Sequence, residues 1–366
     1  MTPLLAPFPS KTIALYAARM FIVRTLAFAL GLAVVLQTLD LLTESGKILA
    51  VAGNDENSLW VYVGLRFPQI LSFALPFSVL LGTLVTFLTL NQNSEVTIFK
   101  AAGLSAHQIL MPLTAAAFGI TVATFAFNEL VLVRTNAQLA AWQAADYGAT
   151  PTDGNIARAV WVREGSDLVL AERVDGFGDN VLLRNVTLYD RTGNRLTGIL
   201  RAAEARPVRG GWQLTKARGF DMETAKVTTA PSLFLALPVD PARFTGAVVK
   251  PDQMPFWELI GAVENLKAAG RPTAQLEGAL HHKLSGPLSA ILMPLLGSVA
   301  AFGLARSGKL FVRVVAGMAL GFGFFVADNF MLAMGNFGAV PPVLAAWSPI
   351  VLFALIGEAL LFRTEE

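Results

Sequence analysis

The segment 303–310 has the spacing of a nucleotide-binding phosphate loop. Its residues are Gly-Leu-Ala-Arg-Ser-Gly-Lys-Leu, and in G-x-x-x-x-G-K loops the backbone and the lysine hold phosphates while a following Ser or Thr binds magnesium. Leu310 occupies the magnesium position, and an apolar run typical of a membrane helix precedes the segment instead of a strand. We interpret it as a cationic turn, and we expect the chain not to be an enzyme and to hydrolyse no ATP itself.

The histidines do not have the spacing of metal ligands, and cysteine is absent. His281 and His282 are adjacent, so on a helix their rings point to different faces, and Ser285 and Gly286 occupy the i+4 positions where a second ligand would stand. His107 is isolated, and the chain has no cysteine, which excludes disulfides, thiol chemistry and iron–sulfur clusters. The sequence therefore predicts no metal site and no cofactor.

The charged residues are too few and too unevenly spread for a soluble protein. They make up 15% of the 366 residues, against 54% hydrophobic residues, whereas soluble chains have about 25% charged residues. Residues 134–283 carry 34 of the 54 charges. The net charge of +2, without a dense basic stripe, gives nucleic-acid binding no electrostatic basis. These observations indicate a membrane protein with one water-exposed insert.

Six apolar stretches are long enough to cross a membrane as helices, which takes about 20 residues. No small-residue cleavage site closes the first stretch, so we interpret it as a retained span and not as a signal peptide. The spans are predicted at residues 19–42, 67–93, 109–133, 284–305, 314–334 and 340–362. The predicted fold class is an α-helical membrane protein with six transmembrane helices.

The basic residues of the short loops predict the orientation, because Lys and Arg favour the cytoplasmic side. Both termini are therefore expected in the cytoplasm, and the insert between spans three and four is expected outside it. The basic residues are Lys11, Arg19 and Arg24 before span one, and Arg306, Lys309 and Arg313 between spans four and five.

The insert has the alternating pattern of short strands, so we predict an extracytoplasmic antiparallel β domain, a sandwich or jelly-roll, over residues 157–249. Helices are predicted on both sides of it, at residues 135–147 and 255–269. The predicted strands lie at residues 160–163, 167–171, 181–189, 195–200 and 212–218. The predicted domains are residues 1–134 with spans one to three, 135–275 with the β-rich domain, and 276–366 with spans four to six.

Residues 94–103 predict a short amphipathic helix on the cytoplasmic side between spans two and three. Ser94 is placed to cap it, Glu95 favours its positive end, and Gly103 is placed to terminate it. Residues 105–108 are typical of a capping box that opens span three. The helix either rests on lipid or docks as a coupling helix into a groove of a soluble partner. Its apolar stripe is predicted to consist of Val96, Phe99 and Ala102.

Charges at membrane depth are costly and are functional candidates by default. Several charged residues lie near the predicted outer ends of spans. A helix rises 1.5 Å per residue, so Asp328 lies about 22 Å beyond Arg313 along span five, nearer the outer face than the centre of the membrane. Each charge alone could simply reach the outer interface. Together they surround an outer mouth, as a cavity for a charged headgroup requires. We therefore predict a lipid cavity and lateral gate formed by Gln37, Asp40, Leu41, Arg66, Arg134, Asp328, Asn329 and Phe330.

Span five also has a face of small residues. Gly317, Gly321 and Gly323 lie close together along it, and small residues let membrane helices approach one another closely. We predict a close helix contact at this face.

Three stretches resemble the lipopolysaccharide-export permease family LptF/LptG, also named YjgP/YjgQ, and the resemblance covers essentially the whole chain. Residues 94–105 match the family's S-E-x-x-x-x-x-A-x-G-x-S coupling segment, with Glu95 on its acidic position. Residues 287–295 and 311–329 also match. The last stretch resembles span five of the LptG branch, with Asp-Asn where Asp-Gln is usual.

The resemblance implies a permease subunit of an ATP-binding-cassette (ABC) transporter, which extracts lipopolysaccharide from the inner membrane and passes it to a periplasmic bridge. The implied partners are an LptF-like permease, an LptB-like ATPase dimer and an LptC-like membrane-anchored periplasmic protein. LptG-like first spans often carry lysines near the outer end, whereas this chain has Gln37, Thr43 and Glu44 there. The implied ATPase-coupling residues are Ser94, Glu95, Phe99, Lys100 and Gly103.

Three other functions are open from the residues alone. One is an ABC permease for another lipid or a lipoprotein, which the six spans with a central insert disfavour. Another is a non-transporting membrane scaffold whose β domain binds a partner. A secondary transporter is disfavoured because no inverted repeat or broken midplane helix pair is present. Co-purification with an ATPase separates the ABC transporters from the other two.

Overall fold

The computed structural model has two compact units, each described here by itself. The helical unit draws on Met1–Leu139, Asp146–Gly148 and Ala274–Glu366, and the β-rich unit on Ala140–Ala145 and Ala149–Thr273. The residues that the structure describes are 10–148, 157–164, 167–175, 181–192, 195–222, 224–236, 250–268, 270–298 and 310–363, together with Val239, Pro241, Phe244 and Phe302.

Long apolar helices make up most of the helical unit. A π-helix, Asn128–Leu132, joins α4 to α5, and α6 belongs to the β-rich unit. The helices are α1 (Lys11–Leu49), α2 (Glu56–Gln92), α3 (Glu95–Ala101), α4 (Ala106–Phe127), α5 (Val133–Ala144), α6 (Phe256–Ala268), α7 (Ala274–Gly297), α8 (Leu310–Asn336) and α9 (Pro342–Arg363).

Five helical stretches of the described residues are long and apolar enough to span a membrane, and they coincide with predicted spans one, two, three, five and six. They are Lys11–Leu49, Glu56–Gln92, Ala106–Ala144, Val312–Asn336 and Pro342–Arg363. The predicted fourth span is covered in part by α7, whose first turns carry Glu277, His281 and Lys283. The rest of that span falls largely outside the described residues, as does the segment 303–309 with its phosphate-loop spacing. Span four therefore stays a prediction.

The small-residue face of α8 packs against α2 of the same chain. A Cβ atom added to Gly317 would lie 2.9 Å from Leu84 Cδ2, and one added to Gly321 would collide with Leu80. Phe77 and Phe325 stack beside this contact, with ring centroids 3.8 Å apart. The predicted close helix contact is therefore confirmed for the first two glycines, whereas Gly323 makes an ordinary contact with the Phe353 ring.

The β-rich unit contains a six-stranded antiparallel sheet in which each strand pairs with the next in sequence. The antiparallel β domain predicted between the spans is therefore confirmed, and β6 is a sixth strand beyond the five ranges read from the pattern. The strands are β1 (Ala157–Glu164), β2 (Asp167–Asp175), β3 (Leu182–Thr192), β4 (Arg195–Val208), β5 (Gly211–Asp221) and β6 (Val227–Leu235).

One face of this sheet is hydrophobic, because alternate residues of a strand point to opposite faces. On β5, Trp212, Leu214 and Ala217 are buried on that face. Leu214 and Ala217 are three residues apart, not two. Lys216 lies between them with a φ of 53°, in the left-handed region, and this conformation breaks the alternation. Asn185 on β3 has a φ of 48° and does the same there.

Candidate functional site: a polar rim, a short helix and an apolar pocket

Asp40 on α1 is the centre of a polar cluster with two residues of α2. Its carboxylate accepts hydrogen bonds from Arg66 Nε at 3.2 Å and Nη2 at 2.9 Å, and from Tyr62 Oη at 2.6 Å. Arg66 also contacts the amide of Gln69. The structure thus brings together Asp40 and Arg66, which the sequence placed at one rim. Tyr62 was not predicted, although it lies four residues before Arg66 and therefore on the same helix face.

A second cluster joins the end of α1 to Tyr147, which lies three residues after the end of α5. Glu44 accepts hydrogen bonds from Tyr147 Oη at 2.8 Å and from Lys47 Nζ at 2.7 Å. Asn54 Nδ2 donates to the carbonyls of Tyr147, at 2.8 Å, and of Ile48, at 2.9 Å. These contacts hold the loop between α1 and α2 in one position, and they also orient the Tyr147 ring edge-on to Tyr62.

Gln37 lies one turn before Asp40 and is 6% exposed. Neither its side-chain Oε1 nor its Nε2 has a hydrogen-bond partner among the described residues. A buried amide without a partner is unfavourable by about 1–3 kcal/mol, so its position suits a polar ligand. Leu41, on the next position after Asp40, is half-buried. The predicted rim residues of α1 therefore face the helical unit and not its outside.

The three predicted gate residues of α8 do not face one direction. Asp328 is 9% exposed, and its carboxylate interacts electrostatically with His282 of α7. Asn329 is exposed and donates its amide to the Phe325 carbonyl of its own helix at 2.9 Å. Phe330 is also exposed. Asp328 lies on the buried face of α8 with Phe324 and Gly321, which are one and two turns before it. The role of the three residues in a lateral gate stays a prediction.

A buried ion pair links the π-helix to α7. Lys283 Nζ lies 2.9 Å from Glu129 Oε1, and the two side chains are only 16% and 13% exposed. Beside it, Ser72 Oγ donates to Asn128 Oδ1 at 2.8 Å. The π-helix is thus held by α7 through Glu129 and by α2 through Asn128. The sequence gave no signal that Glu129 and Lys283 are partners, because they are 154 residues apart.

Arg134, the last predicted rim residue, is exposed at the start of α5. Among the described residues, it makes no ion pair or side-chain hydrogen bond. Arg66, in contrast, is neutralised by Asp40. Arg134 is therefore the rim cation that is open to an external anion.

The helix α3 occupies the predicted coupling segment, but its contacts differ from the prediction. Ser94 is at the N-cap position with a φ of 61°, and its hydroxyl makes no capping hydrogen bond, so the predicted side-chain cap is wrong. Glu95 Oε1 accepts from Tyr16 Oη of α1 at 3.3 Å and from Asn93 Nδ2 at 3.1 Å. The N-terminus of α3 is therefore held to α1 through a side chain. Gly103, with a φ of 85°, follows the helix as predicted.

The apolar stripe of α3 faces the helical core, apart from its last residue. Val96 is buried and Phe99 packs against the core, whereas Ala102 is exposed. Ile98, which was not predicted, is 60% exposed. Lys100 is exposed and lies 5.3 Å from the Phe302 ring centroid. The exposed surface of α3 therefore contains Ile98, whereas Phe99 is partly buried and its predicted coupling role stays a prediction.

The segment after α3 contains two further contacts. Ser105 and Gln108 form the predicted capping box of α4. His107, which appeared isolated in the sequence, pairs with Glu358 of α9 through its Nε2, at 3.0 Å. A charge on span six is thus satisfied within the helical unit.

The hydrophobic face of the sheet encloses a pocket in which every described lining side chain is apolar. Trp212 and Phe244 meet edge to face there, with ring centroids 5.4 Å apart, and Trp212 Nε1 donates to the Val239 carbonyl at 3.0 Å. The enclosed volume is about 20 Å³, room for about one water molecule. The lining residues are Val169, Leu183, Val186, Leu188, Leu200, Ala202, Ala205, Trp212, Leu214, Leu235 and Phe244.

The chain is similar to known proteins over almost its entire length. The sequence model of the family "Lipopolysaccharide export system permease LptF/LptG" matches residues 15–363. The lipopolysaccharide export system permease protein LptG of Escherichia coli is 26% identical over 349 residues, which are 93% of this chain and 94% of that protein. The LptG protein of Haemophilus influenzae is 23% identical over 328 residues, 86% and 89% of the two chains. The chain belongs to the LptF/LptG family of lipopolysaccharide export permeases.

Proposed function

We propose that this chain is the LptG-like permease subunit of an ABC transporter that extracts lipopolysaccharide from the inner membrane and passes it to a periplasmic bridge. Family membership and the two LptG relatives support the cargo. The observation that carries the proposal is the pocket of the β-rich unit. A domain of a membrane protein that lines a cavity with apolar side chains alone is suited to hydrocarbon chains, not to polar solutes.

The transport cycle needs an energy source outside this chain. Removing an acyl chain from lipid costs about 0.8 kcal/mol for each methylene exposed to water, so a lipid with several chains does not leave the bilayer unaided. The proposed partners are an LptF-like second permease, an LptB-like ATPase dimer that supplies ATP hydrolysis, and an LptC-like membrane-anchored periplasmic protein that accepts the lipid. The basic short loops support an orientation with both termini and α3 in the cytoplasm and the β-rich unit in the periplasm.

The polar rim has a structural part and a binding part in this proposal. Asp40, Arg66 and Tyr62 satisfy one another and fix the outer ends of α1 and α2. Gln37 has two unpaired amide atoms that suit the hydroxyl or amide groups of a headgroup. Arg134 supplies a positive charge for a phosphate, since charge-assisted hydrogen bonds to phosphate are the strong ones. The role of Asp328, Asn329 and Phe330 as part of a lateral gate stays a proposal, with Asn329 and Phe330 exposed and Asp328 buried.

The pocket would have to widen before it could receive an acyl chain. Its present volume of about 20 Å³ holds about one water molecule, and Phe244 packs into it beside Trp212. Because the lining groups are apolar, separation of these two rings in water is unfavourable, whereas an acyl chain between them restores the apolar contacts. Lipid entry and pocket opening are therefore coupled.

A photo-crosslinking amino acid in the pocket tests the proposed function. Placed at Leu200, which lines the pocket, it should capture lipopolysaccharide in living cells when the complete transporter is present. Placed at Thr215, which is exposed on β5, it should capture much less, although both positions are in the same sheet. Equal capture of lipopolysaccharide at both positions, or capture of phospholipid alone at Leu200, would exclude the pocket as its path.

The exposed surface of α3 gives a separate prediction for the ATPase contact. Ile98→Asp should weaken binding of the LptB-like ATPase by about tenfold, about 1.4 kcal/mol, because it places a charge in an apolar contact. The melting temperature should change little, since Ile98 makes no core contact. Phe99→Asp should instead lower the melting temperature, because Phe99 packs against the core. Co-purification and thermal unfolding of both variants check this, and normal ATPase binding by a folded Ile98→Asp chain would refute the role of α3.

A further inference from the structure

The face of the sheet opposite the pocket carries a cross-strand pair of arginines. Arg201 of β4 and Arg218 of β5 are directly opposite each other in the antiparallel ladder, and both side chains are exposed. The adjacent residues Ala202 and Ala217 are buried in the core of the sheet. Because side chains alternate along a strand, both arginines project from the other face. Directly opposite residues have Cβ atoms about 4.5–5.5 Å apart, so two like charges are held close together.

Residues that are opposite one another on successive strands form a row across the sheet. In the next row of the same face, the arginines have acidic partners. Asp175 Oδ1 accepts from Arg173 Nε at 3.0 Å, and its Oδ2 accepts from Arg184 Nε at 2.8 Å. Glu204 lies 3.6 Å from Arg184 Nη1 and 3.8 Å from Arg206 Nη2. Burial raises the pKa of the Asp175 carboxyl, but the hydrogen bonds from Arg184 and Arg173 outweigh it and bring the pKa below its ordinary value. The Asp175 carboxyl is therefore charged, and the arginines of this row have acidic partners in Asp175 and Glu204.

No such acid accompanies Arg201 and Arg218. Within the part of the chain that the structure describes, neither guanidinium has an ion pair or a hydrogen bond. Like charges directly opposite each other destabilise a sheet, and the neighbouring row avoids that cost. A local conflict of this kind, next to a row whose arginines have acidic partners, is typical of a functional site.

The surroundings of the pair define the kind of ligand. Thr187 is opposite Arg201 on β3, and Thr229 is opposite Arg218 on β6. The next row of the same face is apolar, and its members on β5 and β6, Phe220 and Val227, are exposed. That row consists of Tyr189, Ile199, Phe220 and Val227, which are opposite one another in register. A cationic row thus lies beside an apolar row.

We propose that Arg201 and Arg218 bind the phosphate group of a phosphorylated amphiphile, whose apolar part contacts the row with Phe220 and Val227. Guanidinium groups offer paired N–H donors that match two phosphate oxygens, and an anion between them removes the repulsion of the pair. Free phosphate would use the arginines only, whereas an amphiphile uses both rows. The site is on the face opposite the acyl-chain pocket, so it does not depend on the proposed function.

Binding of a short-chain lipid to the full chain in nanodiscs of uncharged lipid tests this site. The probes are dihexanoyl phosphatidic acid, dihexanoyl phosphatidylcholine and inorganic phosphate, with empty nanodiscs subtracted. The phosphatidic acid should bind most tightly, and Arg201→Gln with Arg218→Gln should weaken its binding by about tenfold or more. Arg206→Gln, an exposed arginine of the same face, is the matched control and should bind like the original chain. Phe220→Ser should weaken binding of the lipid but not of inorganic phosphate.

Thermal unfolding of the same variants separates a binding role from a structural one. Without any anion probe, Arg218→Gln should melt no lower than the original chain, because it removes a repulsion. A lower melting temperature would contradict that reasoning and overturn the proposal. Unchanged lipid binding by the double variant would also overturn it, as would equal affinity for inorganic phosphate and phosphatidic acid. Displacement of the lipid by a poly-glutamate peptide at lower concentration would assign the face to an acidic protein instead.

Discussion

Replacing Asp40 with alanine should lower the stability of the helical unit by about 1–3 kcal/mol, because it removes the acceptor of partly buried donors. The substitution leaves the Arg66 guanidinium without its anionic partner, and it leaves the hydroxyl of Tyr62, which is 1% exposed, without any acceptor that the structure describes. The melting temperature of the purified chain should therefore fall by several degrees, as measured by thermal unfolding in detergent.

A double variant separates stability from lipid recognition at this cluster. Asp40→Leu combined with Arg66→Met should be more stable than either single variant, because an apolar pair of similar volume replaces a buried ion pair at little cost. If Asp40 and Arg66 also bind the lipid headgroup, the stable double variant should still export little lipopolysaccharide. Normal export by that variant would leave the cluster with a structural role only. A normal melting temperature for Asp40→Ala would contradict the contacts from which we argue.

Lys283→Ala should be at least as severe, with a loss of about 3 kcal/mol, because it removes the cation 2.9 Å from the largely buried Glu129 carboxylate. The pair holds the π-helix Asn128–Leu132 against α7, and π-helical turns inside α-helices frequently mark functional sites. The chain should therefore lose both stability and lipopolysaccharide export. Thermal unfolding and an export assay in cells depleted of the native permease measure the two effects.

An exposed pair of the same residue types is the matched control. Lys47 and Glu44 lie 2.7 Å apart, but the lysine side chain is 63% exposed, and exposed ion pairs contribute about 0–1 kcal/mol. Lys47→Ala should therefore change the melting temperature little. Exchange of the buried charges, Glu129→Lys with Lys283→Glu, should recover part of the stability lost in Lys283→Ala. A loss of similar size in Lys47→Ala and Lys283→Ala would show that burial does not set the strength of these pairs.

The class of the protein and most of its elements could be predicted because they depend on local composition and period. An apolar run of about 20 residues favours a membrane helix wherever it occurs, so five spans coincide with helices of the structure. Alternation over a few residues favours a strand, so β1 to β5 were found. The coupling segment was located from its order of residue types, with Ser105 and Gln108 forming the expected capping box.

The structure corrected the expectations about which way side chains face. Phe99 and Asp328 were assigned to surfaces for partners or lipid, but both are turned into the helical unit. A helix with apolar residues all round has no polar face to set its rotation. That rotation is decided by packing instead: Gly317 and Gly321 admit α2 closely, and Asp328 lies on the same buried face.

The order of residue types was enough to predict a membrane permease with an antiparallel β domain and a short helix between its second and third spans. Which polar groups contact one another became known from the folded chain. Asp40 and Arg66 are 26 residues apart, Glu129 and Lys283 are 154 apart, and Arg201 meets Arg218 through strand register. Local periods decide which elements form, whereas such pairs depend on helix rotation and strand register, which are settled by long-range packing.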